Sequence, residues 1–175
     1  MGLRNFDLAI LKDIMDKHGL QFKGLNMMQL GDQIYRDKKI RAKKYFESLG
    51  SIVVSIDING KGGSLPIDLS KPIENSEYKN RFDLVTNFGT SEHVSDHLAC
   101  FENMYGFCKS GGIMISLVPR EGCWNNRSHR GVHKYNNEFF TKWALDHGCD
   151  VLVNRIITKA ERFCDDMILA ILKKR

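Results

Sequence analysis

Residues 151–174 read VLVNRIITKAERFCDDMILAILKK. Two apolar, β-branched runs, VLVNRIIT and MILAILKK, are separated by only about eight residues, KAERFCDD. Runs of that composition read as strands. A crossover between parallel neighbours needs roughly a dozen residues or more, so these two strands must pair antiparallel, as a hairpin that ends the sheet.

Upstream of the hairpin the pattern changes, and strands alternate with helices. LNMMQL (25–30) is a short buried strand, and SIVVSIDI (51–58) is so uniformly apolar that it must be covered on both faces, as in a parallel sheet. LPIDL (65–69), RFDLVTNFG (81–89) and IMISLVP (113–119) supply the third, fourth and fifth strands, the last ended by Pro119. Helices are expected over FDLAILKDIMDKHG (6–19), stopping at Gly19, and over IYRDKKIRAKKYFESLG (34–50), with Ile34, Ile40, Tyr45, Phe46 and Leu49 as its buried side and Gly50 as its stop. A third runs from a serine cap, Ser91, to Gly111 and Gly112, and a fourth over NNEFFTKWALDHG (136–148). SKPIENSEYKNR (70–81) shows no helical period, so one crossover is shortened to a loop or a turn. The expected architecture is α/β: a three-layer sandwich around a mostly parallel seven-stranded sheet with a terminal antiparallel hairpin.

At 175 residues the chain suits one domain, 1–175, with an N-terminal helix in 1–20 packed on the sheet edge or over a site. Its 42% hydrophobic and 27% charged residues are ordinary for a globular protein. No apolar run approaches the ~18 residues of a membrane span and no signal-peptide pattern is present, so a cytoplasmic location is the default expectation. Five scattered cysteines, Cys100, Cys108, Cys123, Cys149 and Cys164, never form C-x-x-C and read as reduced thiols. Much of the net +5 comes from RDKKIRAKK (36–44) and the terminal KKR, read first as a solvated helix face and a polar tail, with an electrostatic patch for nucleic acid or anionic lipid as the alternative.

Two segments carry a family resemblance. FDLVTNFGTSEHV (82–94) with MYGFCKSGGIMISLVP (104–119) resembles the fourth strand, helix, glycine turn and fifth strand of class I S-adenosylmethionine-dependent methyltransferases. GVHKYNNEFFTKWALDHGCDV (131–151) is similar to that family's His-x-Tyr/Phe segment entering a helix that ends in glycine. The resemblance covers roughly residues 25–172. It implies a Rossmann-like fold, S-adenosyl-L-methionine as cofactor, and a ligand at the carboxyl ends of the strands, where the strand order reverses.

Carried over residue by residue, the resemblance implies that Gln29, Leu30 and Gly31 lie against the cofactor's methionine and ribose portions. Asp57, followed by Ile58, grips the ribose hydroxyls in charge-assisted bonds. Asp68 and Leu69 meet the adenine edge, and Asn87, Phe88 and Gly89 face the methionine moiety. The sequence departs from the family at the first loop: the usual E/D-x-G-x-G-x-G becomes QLGDQIY, with Gln29 in place of the acid and Gln33 and Tyr35 where glycines stand. Side chains there restrict how closely backbone approaches a ligand. The loop NGKGGS (59–64) is in turn unusually rich in glycine.

Methyl transfer needs positioning, and a base where the acceptor must lose a proton. The candidates are His93, Glu92, His133 and His129, the last two in the loop 120–136 that follows the fifth strand on the acceptor side. Trp124 and Tyr135 of that region could stack on a planar acceptor or pack as lid and core. His93 and His97 stand one turn apart with Asp96 beside them, yet no H-E-x-x-H glutamate lies between them, and no metal is expected. NFGT after the fourth strand replaces the Asn/Asp-Pro-Pro-aromatic loop of base N-methylating enzymes, so a nucleic-acid acceptor is not expected. A small molecule or a glycan remains as acceptor by elimination. Two alternatives stay open: a catalytically inactive binding module of the same fold acting through a partner, and a nicotinamide-dependent oxidoreductase using Asp57 on the ribose.

Overall fold

The computed structural model describes residues 2–74, 77–123, 131–162 and 165–175. Trp124, His129 and Cys164 therefore lie outside the described residues. In chain order the elements are α1 (Asn5–Lys17), β1 (Asn26–Leu30), β2 (Ile34–Tyr35), β3 (Ile40–Arg41), α2 (Ala42–Ser48), β4 (Ile52–Ile56), β5 (Phe82–Phe88), α3 (His97–Phe107), β6 (Cys108–Pro119), α4 (Asn137–Asp146), β7 (Cys149–Ile157), α5 (Lys159–Arg162) and β8 (Met167–Lys174).

The main sheet has the order β4-β1-β5-β6-β8-β7. β1 pairs parallel with β4 and β5, and β5 parallel with β6. β8 pairs antiparallel with both β6 and β7, which is the terminal hairpin the short KAERFCDD connection requires. Successive residues of each strand enter opposite cores. Met28, Val85, Met114 and Ile168 pack with α3 and α4 on one face. Met27, Leu84, Ile113 and Leu169 pack with α1 and α2 on the other. The result is three layers, helix on sheet on helix.

The sheet has six strands rather than seven. The third expected strand, LPIDL, contributes one parallel bridge, Leu65 to Ile56. Pro66 has no N–H to give a ladder, and the next amide, Ile67, turns back to the Leu65 carbonyl at 2.9 Å. The expected helix from Ile34 also begins later, because residues 34–41 fold into the small antiparallel hairpin β2–β3 and only Ala42–Ser48 is α-helical. The hairpin is held at its base by the Ala42 N–H on the Gln33 carbonyl and on its flank by Leu3, which bridges Tyr35.

Ser91 does not cap a helix. It sits in a 3-10 turn, Ser91–His93, and α3 starts after Asp96, whose carboxylate accepts the Ala99 N–H at 3.0 Å. Nor do Gly111 and Gly112 stop that helix. α3 ends at Phe107, and the glycines form a bulge inside β6, where the register jumps from Phe82↔Cys108 to Leu84↔Ile113. A Cβ on Gly112 would come within 2.8 Å of the Cys108 sulfur, so the chain must be bare there. Among the described cysteines Cys100, Cys108, Cys123 and Cys149 are free, with the thiols of Cys100 and Cys108 pushed up to about 12 by burial. No described helix is long and apolar enough to cross a membrane.

Candidate functional site

A cleft of about 520 Å³ opens where β1, β4 and β5 run out. Three loops build it: Gly31 to Gln33 after β1, Asp57 and Ile58 after β4, and Gly89 to Ser95 after β5, with Ile67 to Ser70 closing the far side. This is the reversal point of an open parallel sheet, since β1 is flanked by β4 on one side and β5 on the other.

Gly31 turns the chain out of β1 with φ +79°, a conformation that favours glycine. Its amide continues the ladder onto the Ile56 carbonyl at 2.6 Å, and a Cβ there would collide with the Thr90 hydroxyl. Thr90 Oγ1 donates to the Leu30 carbonyl at 2.9 Å and receives Gln33 Nε2 at 3.0 Å, so the loops after β1 and β5 are stitched together across the cleft floor. Gln33 is 4% exposed and lines the cleft, and its Oε1 has no partner among the described residues.

The Asp57 carboxylate is fixed from two sides: Oδ2 accepts the Asp32 N–H at 2.9 Å and Oδ1 accepts the Asn59 N–H at 3.1 Å. Asp32 also lines the cleft, pairs with Arg41 at the foot of the β2–β3 hairpin, and packs against Gly62, whose φ is +64°. Opposite, Asp68 Oδ1 accepts the Ser70 hydroxyl at 2.7 Å and the Ser70 N–H at 3.0 Å, which with nearby Lys71 holds its carboxyl below the usual range.

The structure thus brings Gly31, Asp57, Ile58, Asp68, Leu69, Gly89 and His93 into one cleft. It places other candidates elsewhere. Gln29 is buried beneath the loop, its Nε2 donating to the Gly31 carbonyl at 2.8 Å, and Leu30 is fully buried. Asn87 is an internal clamp: Oδ1 accepts the Thr90 and Ser91 amides, both at 3.1 Å, and Nδ2 donates to the Ser91 hydroxyl at 2.8 Å. Phe88 belongs to the core on the α1 side. Tyr35 points away from the cleft, buried beside Tyr45, and its hydroxyl bonds Asn5.

Glu92 is fully buried behind His93, whose Nε2 lies 3.9 Å from its Oε1. His133 stacks on His97 with ring centroids 4.2 Å apart, and its Nε2 meets the Ser95 carbonyl at 3.2 Å. The 131–135 segment is held against the 3-10 turn by the Val132 amide on the Glu92 carbonyl at 2.7 Å and by the buried Tyr135 hydroxyl on Ser91 Oγ at 2.9 Å. Burial raises the Tyr135 hydroxyl well above its ordinary pKa. Among the described residues no three His, Cys, Asp or Glu side chains gather as a metal site. Sequence reasoning missed Asp32, Ile67, Ser70, Thr90, Val94 and Ser95 as lining residues, and read Gln33 only as an obstruction. The one available signal was position, since all of the missed residues but Ser95 directly neighbour a candidate.

This topology, with the cleft at the reversal point and an antiparallel pair closing the sheet, is the fold of class I S-adenosylmethionine-dependent methyltransferases. Solved structures share it at low sequence identity. The 1,6-didemethyltoxoflavin-N1-methyltransferase of Burkholderia thailandensis, solved with 1,6-didemethyltoxoflavin and S-adenosylhomocysteine, is 13% identical, covering 95% of this chain and 76% of that one, with a TM-score of 0.65. An S-adenosylmethionine-dependent methyltransferase from Mesorhizobium loti is 13% identical over 97% of this chain and 100% of its own, TM-score 0.64. The cyclase SpnF is 11% identical over 95% and 80%, TM-score 0.66. No family model matches the sequence, and no curated protein does.

Proposed function

We propose that this chain is an S-adenosylmethionine-dependent methyltransferase acting on a small-molecule or glycan acceptor. The observation that carries the reading is Asp57, a half-buried carboxylate held by two backbone amides at the carboxyl end of β4 and open to the cleft. A carboxylate so placed suits the paired hydroxyls of a ribose.

Three further features suit the same cofactor. The Gly31 turn lines the cleft beside the methionine portion, and the buried Gln33 Oε1, which has no partner among the described residues, offers an acceptor to its ammonium group. Asp68, with the Leu69 amide, faces the adenine edge, and Ile58, 71% exposed, gives the base an apolar surface. Gln29, Leu30, Asn87, Phe88 and Gly89 then act mainly by shaping the loops that carry these contacts. When bound, the cofactor supplies an electrophilic methyl group on a sulfonium.

For the acceptor, His93 is the one candidate base among the described residues that lines the cleft. Glu92 lies directly behind it, with its Oε1 3.9 Å from the His93 Nε2. Titration calorimetry with S-adenosylhomocysteine tests the reading. Binding in the wild type that weakens at least about tenfold in Asp57→Ala is expected, since charge-assisted bonds contribute roughly 1.5–3 kcal/mol; no heat at millimolar ligand overturns it. Given an acceptor, His93→Ala is expected to slow transfer while leaving cofactor affinity intact.

A second reading, a chain that holds the cofactor without transferring its methyl group and works through a partner, is favoured by the positions of the other bases. Glu92 is sealed from the cleft and His133 is engaged with His97. A cyclase shares the fold, so methyl transfer is not its sole use. Cofactor binding without turnover on any acceptor, unaffected by His93→Ala, would favour this reading. A nicotinamide-dependent oxidoreductase is disfavoured by the QLGDQIY loop, which lacks G-x-G-x-x-G, and by the antiparallel β7–β8 pair.

A further inference from the structure

The segment 36–44 carries six cations, Arg36, Lys38, Lys39, Arg41, Lys43 and Lys44, against Asp37. That local excess equals the net +5 of the whole chain, so the rest of the molecule is neutral in sum. These residues do not spread along one helix. The β2–β3 hairpin packs against α2, with Lys38 Nζ 5.1 Å from the Tyr45 ring, so the hairpin cations adjoin those of α2.

The charge there is largely unspent. Asp37, the one acid, is exposed and accepts the Asn5 amide at 2.6 Å. Arg41 is paired with Asp32, and Lys43 donates to the Gly63 carbonyl at 2.9 Å. Arg36, Lys39 and Lys44 are exposed and have no ion pair among the described residues. Ile34 and Ile40 stand among them, 44% and 39% exposed. Within 34–44 no exposed side chain is an aromatic ring, an amide or a hydroxyl, the groups that would stack on bases or bond their edges and sugars. Cations with protruding isoleucines instead match phosphate headgroups over an acyl boundary.

We propose that the β2–β3 hairpin and the start of α2 form a docking face for an anionic lipid bilayer. The docking face adjoins the cleft, because the hairpin is rooted in the cleft wall through Asp32 and Gln33. The proposal stands apart from the reaction and does not require the cofactor.

Co-sedimentation with vesicles of phosphatidylcholine, alone or mixed with phosphatidylglycerol, tests it. The protein is expected to pellet with the mixed vesicles at low salt, to release at roughly 0.5 M salt, and to ignore pure phosphatidylcholine. The informative variant is Lys39→Gly. Lys39 has φ +55°, which favours glycine, so the change removes a cation without cost to the fold. Membrane affinity is expected to fall about fivefold with melting temperature kept or raised, and Arg36→Glu with Lys44→Glu to abolish binding. Equal binding to both vesicle types, no binding to either, unchanged affinity in these variants, or tighter binding to a single-stranded RNA oligonucleotide than to mixed vesicles would each overturn the proposal.

Discussion

Asp57 Oδ2 accepts the backbone N–H of Asp32 at 2.9 Å, so the acid that ends β4 also fastens the loop that leaves β1. One side chain thus serves both the shape of the cleft and its charge. The two roles separate on substitution. Asp57→Asn keeps an oxygen for the Asp32 amide but sets its Nδ2 against the Asn59 amide and loses the charge, so melting temperature is expected to fall by less than in Asp57→Ala while affinity for S-adenosylhomocysteine falls about tenfold. Asp57→Ala is expected to lose roughly a further 1 kcal/mol of stability as well. Wild-type affinity in the asparagine variant would rule out a charge-assisted role.

Gly31 makes a sharper test of the eroded loop. A side chain there is strained by φ +79° and collides with Thr90 Oγ1, which is committed to the Leu30 carbonyl and Gln33. Gly31→Ala is expected to cost about 1–3 kcal/mol in chemical denaturation. Gly31→Ala with Thr90→Ala relieves the collision but not the backbone strain, and should recover part of the loss. Full stability in the single variant would mean that the loop yields freely.

The sheet was legible because burial on both faces writes itself as nearly continuous apolar runs, as in IMISLVP of β6, and because eight residues cannot make a crossover. The errors have tertiary causes. Ser91 looked like a cap, yet its hydroxyl is used by Asn87, four residues back, and by Tyr135 from a distant part of the chain. The helical period from Ile34 was broken by pairing with Leu3, some 30 residues earlier, which no local pattern reports. At the site the acids at strand ends were readable, since topology assigns them a place. Asp32 was not, because its place in the cleft wall depends on Arg41 and on a bare Gly62 brought from another loop.

The stacked His97 and His133 pair sets a pH dependence of stability. Partial burial, with the neighbouring His133, lowers the His97 pKa from 6.5, against the opposing pull of Asp96. The unfolded chain therefore binds the proton more readily than the folded one, and acid favours unfolding. The contribution of His97 is fully favourable above pH 6.5 and is lost as pH falls below it. Melting temperature followed from pH 8 to 5 should bend downward below about 6.5. His97→Phe, which keeps a ring against His133 and Phe139, should flatten that bend. An unchanged bend in the variant would assign the effect to another group.

The N-terminal helix is tied to the far end of the chain by a buried pair. Arg162 Nε and Nη2 reach Asp7 Oδ1 and Oδ2 at 2.7 and 2.8 Å, with side chains 3% and 0% exposed. Asp7 also accepts the Arg4 N–H at 2.9 Å, so it closes the start of α1 and anchors α5 at once. A pair so enclosed has lost the hydration of both charges, and its attraction must offset that loss. Removing one member leaves the other buried with its main partner gone. Asp7→Ala and Arg162→Ala are each expected to cost about 3–5 kcal/mol in urea denaturation. Replacing both with apolar residues of similar size, Asp7→Leu with Arg162→Met, should cost far less than the sum of the two single losses, because no buried charge remains. Losses that simply add in the double variant would show that the two side chains stabilise α1 and α5 independently, and that the pair does not join the ends of the chain.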